Sequence, residues 1–263
     1  MTKKYIAIIY EGEKTERQLV NNLNHIFFNN ISELVPIMFP AGENIYMLWK
    51  QLKKDEFQTD LIEVVREYNA EAAKVLKGYQ RNDFMEIYLF FDYDGHQDNL
   101  SGAEESVGDI LEEMLETFSE ETDLGKLYIN YPMVESLRDN NPPEEEVCYR
   151  NCTVDLADIK DYKRSVHDMH MRIYQDFRKL DCRKWYELCI NAACKANCII
   201  YNTYCVPQRE KFINEMGQVR LYHMQKEKYV PFGKIAVINS IPLFLLEYFK
   251  KEFWDEIFGC QST

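Results

Sequence analysis

Two strand-length apolar runs that stop abruptly at acids constrain this chain more than any other feature. Tyr5-Ile6-Ala7-Ile8-Ile9-Tyr10 runs into Glu11-Gly12-Glu13-Lys14-Thr15-Glu16, and Ile87-Tyr88-Leu89-Phe90-Phe91 runs into Asp92-Tyr93-Asp94-Gly95. Continuous Ile and aromatic runs of this length suit strands buried on both faces, and the polar turn after each one ends it. A helical stretch follows each turn. Thr15–Asn29 carries Leu19, Val20, Leu23, Ile26 and Phe27 on one face, and Ala103–Phe118 carries Val107, Ile110, Leu111, Met114 and Leu115.

Two further strands are expected at Glu33–Phe39 and Lys126–Asn130. Between them Tyr46–Lys77 reads as largely helical, with a break near Phe57-Gln58-Thr59. Strands alternating with helices predict an α/β fold, a parallel sheet flanked by helices, with its chemistry at the carboxyl ends of the strands. Glu11, Asp92, Asp94 and Glu135 all fall just after a strand. Beyond Asn140-Asn141-Pro142-Pro143 the pattern changes: residues 155–200 read mostly as helices, and Gln208–Phe232 is polar with strand-like pieces such as Gln218–His223. Ile235–Ile257 is apolar and aromatic, either a closing helix or a strand followed by a helix. The organisation expected is a catalytic core over residues 1–140 and a mainly helical C-terminal region over 141–263 packed on it.

Asp92-x-Asp94 places two carboxylates on one side of an extended segment, and Glu11 from another strand completes a set of hard oxygens. Like charges gathered this way repel unless a cation lies among them, and carboxylate oxygens suit Mg2+ or Mn2+ rather than Zn2+. Glu16, near the start of the following helix, is a further acid for a second metal or a metal-bound water. Taken singly, each motif also reads as a surface turn or a helix start.

The net charge of −13 disfavours indiscriminate nucleic-acid binding, but it is unevenly spread. Residues 1–149 hold 13 Lys and Arg against 30 Asp and Glu, whereas residues 150–234 hold 16 against 10. Lys160, Lys163 and Arg164, with Arg172 and Arg178, are the candidate phosphate contacts, and His167 and His170 share a helix face. Cys189, Cys194 and Cys198 lie in an apolar run and read first as core thiols, with zinc or redox roles as the alternative. With no 18-residue apolar run and no signal-like leader, the expectation is a cytoplasmic protein without membrane contact.

Glu11-Gly12 after a first strand, with Asp92-x-Asp94 after a later one, resembles the Toprim catalytic domain of topoisomerases, primases and OLD-family nucleases. Glu11-Gly12-Glu13-Lys14-Thr15-Glu16 is similar to the E-G-x-x-x-E pattern of the RloB-like and OLD-like branch, and Pro132-Met133-Val134-Glu135 resembles its P-x-x-E element. The resemblance covers roughly residues 1–140. It implies Mg2+-dependent phosphodiester cleavage, with Glu11, Asp92 and Asp94 as metal ligands and Glu16 and Glu135 as second-metal or supporting acids. It also implies a nuclease acting on RNA, tRNA included, or on DNA, as a toxic effector of anti-phage defence. The chain has no G-x-x-x-x-G-K-[ST] motif, so an ATPase partner would be a separate chain. The aromatic stretch Phe244–Phe258 reads equally as a homodimer interface or as core. The rival reading is a catalytically silent module that binds a partner or senses a signal.

Overall fold

The computed structural model describes residues 4–12, 14–28, 32–39, 45–93, 107–140, 149–169, 174–249 and 251–259. The order begins β1 (Tyr5–Glu11), α1 (Thr15–Leu23), β2 (Glu33–Phe39), α2 (Ile45–Lys54), α3 (Leu61–Tyr68), α4 (Ala70–Val75) and β3 (Phe84–Asp92). It continues α5 (Val107–Thr117), β4 (Ser119–Glu120), β5 (Gly125–Asn130), β6 (Thr153–Asp155), α6 (Ile159–Met169) and α7 (Cys182–Tyr201). It closes with α8 (Arg209–Glu215), α9 (Gln218–Lys228), β7 (Lys234–Ala236), α10 (Ser240–Tyr248) and α11 (Lys251–Gly259). The chain groups into two compact units, residues 1–91 with 96–127 and residues 92–95 with 128–263.

The fold is α/β, with a five-stranded, mostly parallel sheet in the order β2-β1-β3-β5-β4. β1 pairs in parallel with β2, Tyr5 opposite Glu33 and Glu11 opposite Phe39, and with β3, Tyr10 opposite Phe90. Ile6–Tyr10 and Ile87–Phe91 are continuously buried, as central parallel strands require. β2 is an edge strand and tolerates Pro36, which has no donor for a ladder. The Asn24 side chain satisfies both backbone groups of Leu34 on this strand, accepting from its N at 2.8 Å and donating to its O at 2.7 Å. Gly125 opens β5 with φ +102°, and a Cβ there would lie 2.7 Å from Leu89 Cδ1, so only glycine fits.

Several expected boundaries shift for identifiable reasons. The helical stretch over 46–77 is three helices, not one or two. Glu56 and Phe57 take left-handed φ values of 55° and 58° after α2. Asp60 then caps α3 by accepting from Ile62 N, and the extended Asn69 (φ −139°) both stops α3 and caps α4. Asn69 is drawn out of helix by donating its Nδ2 to Met38 O at 2.8 Å. Thr15–Asn29 is α1 followed by a π-helical turn over Asn24–Phe28.

In the second unit, Gln218–His223 is helical rather than strand-like. Extended Gly217 starts α9, and Gln218, Leu221, Tyr222 and Gln225 are buried at helical spacing. β6 and β7 form a small antiparallel pair, Thr153 opposite Ala236 and Asp155 opposite Lys234. Of the two readings of residues 235–257, a strand followed by helix is the one found, with a second helix after it. α10 is buried from Ser240 to Leu246. Cys189 and Cys194 are buried in α7, where they pack as core thiols. No helix among the described residues is long and apolar enough to cross a membrane.

Candidate functional site

In the first unit β1 ends at Glu11, and Gly12 turns the chain with φ +99°. The Glu16 carboxylate, on the first turn of α1, occupies the space beside that glycine: a Cβ on Gly12 would lie 2.5 Å from Glu16 Oε1. One glycine turn therefore carries two acids, with Glu16 also at the helix end that favours negative charge. The neighbouring Tyr10 hydroxyl is pushed above its ordinary pKa by burial first and the Glu16 charge second, with Arg17 opposing.

In the second unit Asp92 is the last residue of β3. Its Oδ1 accepts two hydrogen bonds, from Asn130 Nδ2 at 3.1 Å and Val134 N at 3.0 Å. Asn130 ends β5, and its own Oδ1 accepts from Ser240 N at 3.1 Å and Ser240 Oγ at 2.8 Å. The amide orientation is thereby determined: the carbonyl oxygen faces α10 and the NH2 faces Asp92. Asn239, the N-cap of α10, donates to Val134 O at 2.9 Å and Ser136 Oγ at 3.0 Å. It holds the 3-10 turn Val134–Asp139 that supplies one of Asp92's donors.

Glu135 sits in that turn and is 1% exposed. Lys163 Nζ from α6 lies 2.7 Å from its Oε1, and the Lys163 side chain is 66% exposed. A buried carboxylate pays a heavy desolvation cost, which this ammonium offsets. One residue earlier on α6, the Tyr162 hydroxyl donates to Asp139. Two successive α6 side chains thus grip acids four apart in one turn. Ile159, Tyr162 and Val166 face inward on α6, while Lys160, Lys163, Arg164 and His167 are exposed. Arg164 pairs with Asp161 at 3.2 Å.

Of the predicted residues, the structure brings Glu11 and Glu16 around one turn, Asp92 beside the turn bearing Glu135, and Lys163 onto Glu135. Lys160 and Arg164 share its exposed stripe. Glu11 is the last residue of β1 and Asp92 the last residue of β3, so each acid closes its own strand. Asp94 lies outside the described residues, as do His170, Arg172, Cys148 and Cys260. Among the described residues no three His, Cys, Asp or Glu side chains converge into a metal-sized group. The candidate ligands that are described are all carboxylates, and the Gly12 turn cradles one of them, which suits a hard divalent ion.

Sequence reasoning missed Asn130, Asn239, Ser240 and Tyr162. The only local signal was Asn239 before the apolar run of α10, an N-cap signature. Comparison with protein-family models, with curated proteins and with solved structures returns no match.

Proposed function

We propose that this chain is a Toprim-like, metal-dependent nuclease that hydrolyses phosphodiester bonds in RNA or DNA in the cytoplasm. The observation that carries the reading is that two paired parallel strands both end in carboxylates, Glu11 and Asp92, with Asp92 held by two dedicated donors. Parallel sheets place chemistry at this edge. Glu11, Asp92 and Asp94 would hold Mg2+ or Mn2+, with Glu16 as a supporting acid. A bound divalent ion supplies Lewis-acid activation of water and neutralises charge at phosphorus.

The chain's own residues have separate tasks. Asn130 and Val134 orient the Asp92 carboxylate, since both donate to its Oδ1. Glu135 holds the Lys163 ammonium at the end of a mostly exposed side chain, where it meets a phosphate oxygen and stabilises developing negative charge. Lys160 and Arg164 on the same stripe of α6 contact neighbouring phosphates. An enzyme of this kind harms its own cell when unregulated. The reading therefore includes a role as a toxic effector of anti-phage defence, restrained by a separate ATPase chain.

The test is to induce the wild type, Glu11→Ala and Lys163→Met in cells, follow survival, and run total DNA and small RNA on gels. Killing by the wild type alone, with one nucleic-acid pool cut, supports the nuclease and names its substrate. Equal harmlessness of all three, with and without a candidate ATPase and phage challenge, would instead favour a silent partner-binding module.

A further inference from the structure

We propose that Asn130 is a positioning residue that sets the orientation of the Asp92 carboxylate, and that Ser240 at the start of α10 is the clamp that holds Asn130 in place. The inference rests on the reading of Asp92 as a metal ligand, and all its contacts lie within the second unit. Asn130 is 1% exposed and Ser240 0%. An asparagine amide has one acceptor oxygen and one donor nitrogen, so an unanchored amide is free to flip and offer either to its neighbour. Here two donors from a single residue, Ser240 N and Oγ, claim the oxygen. Only the NH2 is left to face Asp92, and it donates to Oδ1 at 3.1 Å.

The second donor to the same oxygen is fixed with equal care. Val134 N reaches Asp92 Oδ1 at 3.0 Å, while Val134 O accepts from Asn239 Nδ2 at 2.9 Å. The adjacent residues Asn239 and Ser240 therefore clamp both of the groups that hold one carboxylate oxygen. Asn239 Oδ1 meanwhile accepts from Ile241 N at 3.0 Å, which ties the clamp to the first turn of a buried helix. With Oδ1 engaged twice, the carboxylate is held by donors from β5 and from the turn that follows it. Partners of this outer kind orient ligands, and their loss typically costs about 10–100-fold in metal affinity.

The test uses the full chain with Mn2+ as probe, read by the paramagnetic resonance signal of the free ion, and the side-chain amide resonances of selectively labelled asparagine. Asn130→Ala is expected to weaken Mn2+ binding roughly 10–100-fold. Ser240→Ala keeps the backbone donor to Asn130 and is expected to give a smaller loss. Gln225→Ala is the control for a merely structural role. Gln225 is equally buried and bridges Ala236 with two hydrogen bonds of 2.8 and 2.9 Å, and its loss should lower stability without changing Mn2+ affinity. In the metal-free protein, Asp92→Ala should shift the Asn130 amide resonances, and Gln225→Ala should not.

Unchanged Mn2+ affinity in a folded Asn130→Ala variant would overturn the proposal, as would an Asn130 amide signal indifferent to Asp92→Ala. If the wild type binds no Mn2+ but the Asn130 signal responds to Asp92→Ala, the positioning role stands and the metal reading falls.

Discussion

Lys195→Met should cost about 2–4 kcal/mol of stability. Lys195 lies in the middle of α7 and is 1% exposed. Its ammonium donates to three backbone carbonyls, Tyr149 O at 2.9 Å, Arg150 O at 3.0 Å and Cys152 O at 2.9 Å. Two of these acceptors keep another donor when the lysine is lost: Tyr149 O accepts from Cys152 N at 3.2 Å, and Cys152 O from Val237 N at 3.1 Å. Among the described residues, Arg150 O has no donor but the ammonium. The loss is then one orphaned carbonyl, about 1–3 kcal/mol, plus two charge-assisted bonds of about 1.5–3 kcal/mol each. Against this, methionine removes the several kcal/mol spent on burying the charge, while keeping most of the side-chain volume. Thermal unfolding followed by circular dichroism should show a fall of roughly 4–16 °C for a chain of this size. A Met variant within 1 kcal/mol of the wild type would refute the reasoning, because burying the ammonium would then cost as much as its hydrogen bonds return.

Gly12→Ala should cost about 1–2 kcal/mol through its left-handed φ and displace the Glu16 carboxylate. In the induction assay it should therefore behave like Glu16→Ala; wild-type toxicity would break that link. Gly125→Ala adds a core clash to the same backbone penalty, its Cβ falling 2.7 Å from Leu89 Cδ1 and 3.2 Å from Ile87 Cγ2. A loss of about 2–5 kcal/mol is expected in urea unfolding. Burial pushes the Cys194 thiol up to about 12, with Cys205 and Cys198 adding to it, and burial likewise raises Cys189. At pH 8 both should resist iodoacetamide while exposed Cys205 reacts, as peptide mass spectrometry would show. The Arg178 side chain holds the Asp176 carboxyl down at about 2. Its contribution to stability should be full above the ordinary carboxylate range near 3.9 and disappear as pH falls through about 2, with the titration read by NMR.

The parallel core was legible because its strands are locally self-sufficient signals. β2 spans Glu33–Phe39 as the residues suggested, and β1 and β3 each end one residue later than expected, on the acid itself. What local pattern misjudged is α9. Val219, Leu221 and His223 alternate with polar or aromatic neighbours and read as a period of two, yet the helix buries Leu221 with Tyr222 and Met224 with Gln225. The three-helix stretch after β2 depended on Asn69 reaching Met38, a contact that no window of neighbouring residues contains. The candidate acids were legible for the same reason as the strands, since each follows one directly. Their partners were not: Asn130 meets Ser240 across 110 positions, and Lys163 meets Glu135 from another element altogether. Cys189 and Cys194 read correctly as core while Cys198 is half-buried, and Asp94, on which half of the D-x-D pattern depends, lies outside the described residues.

The reach from Asp92 to Ser240 also sets a clock on synthesis. Roughly 150 residues separate them, which at about 5–20 residues per second is about 7–30 s of translation. Through that interval the nascent chain carries its first strands and both early acids but lacks the clamp on Asn130. A ribosome-bound fragment therefore holds Asp92 without its clamped Asn130 until α10 has emerged. On the nuclease reading proposed above, an acidic edge assembled last keeps incomplete copies harmless. Prematurely terminated products ending before α10 would be equally inert.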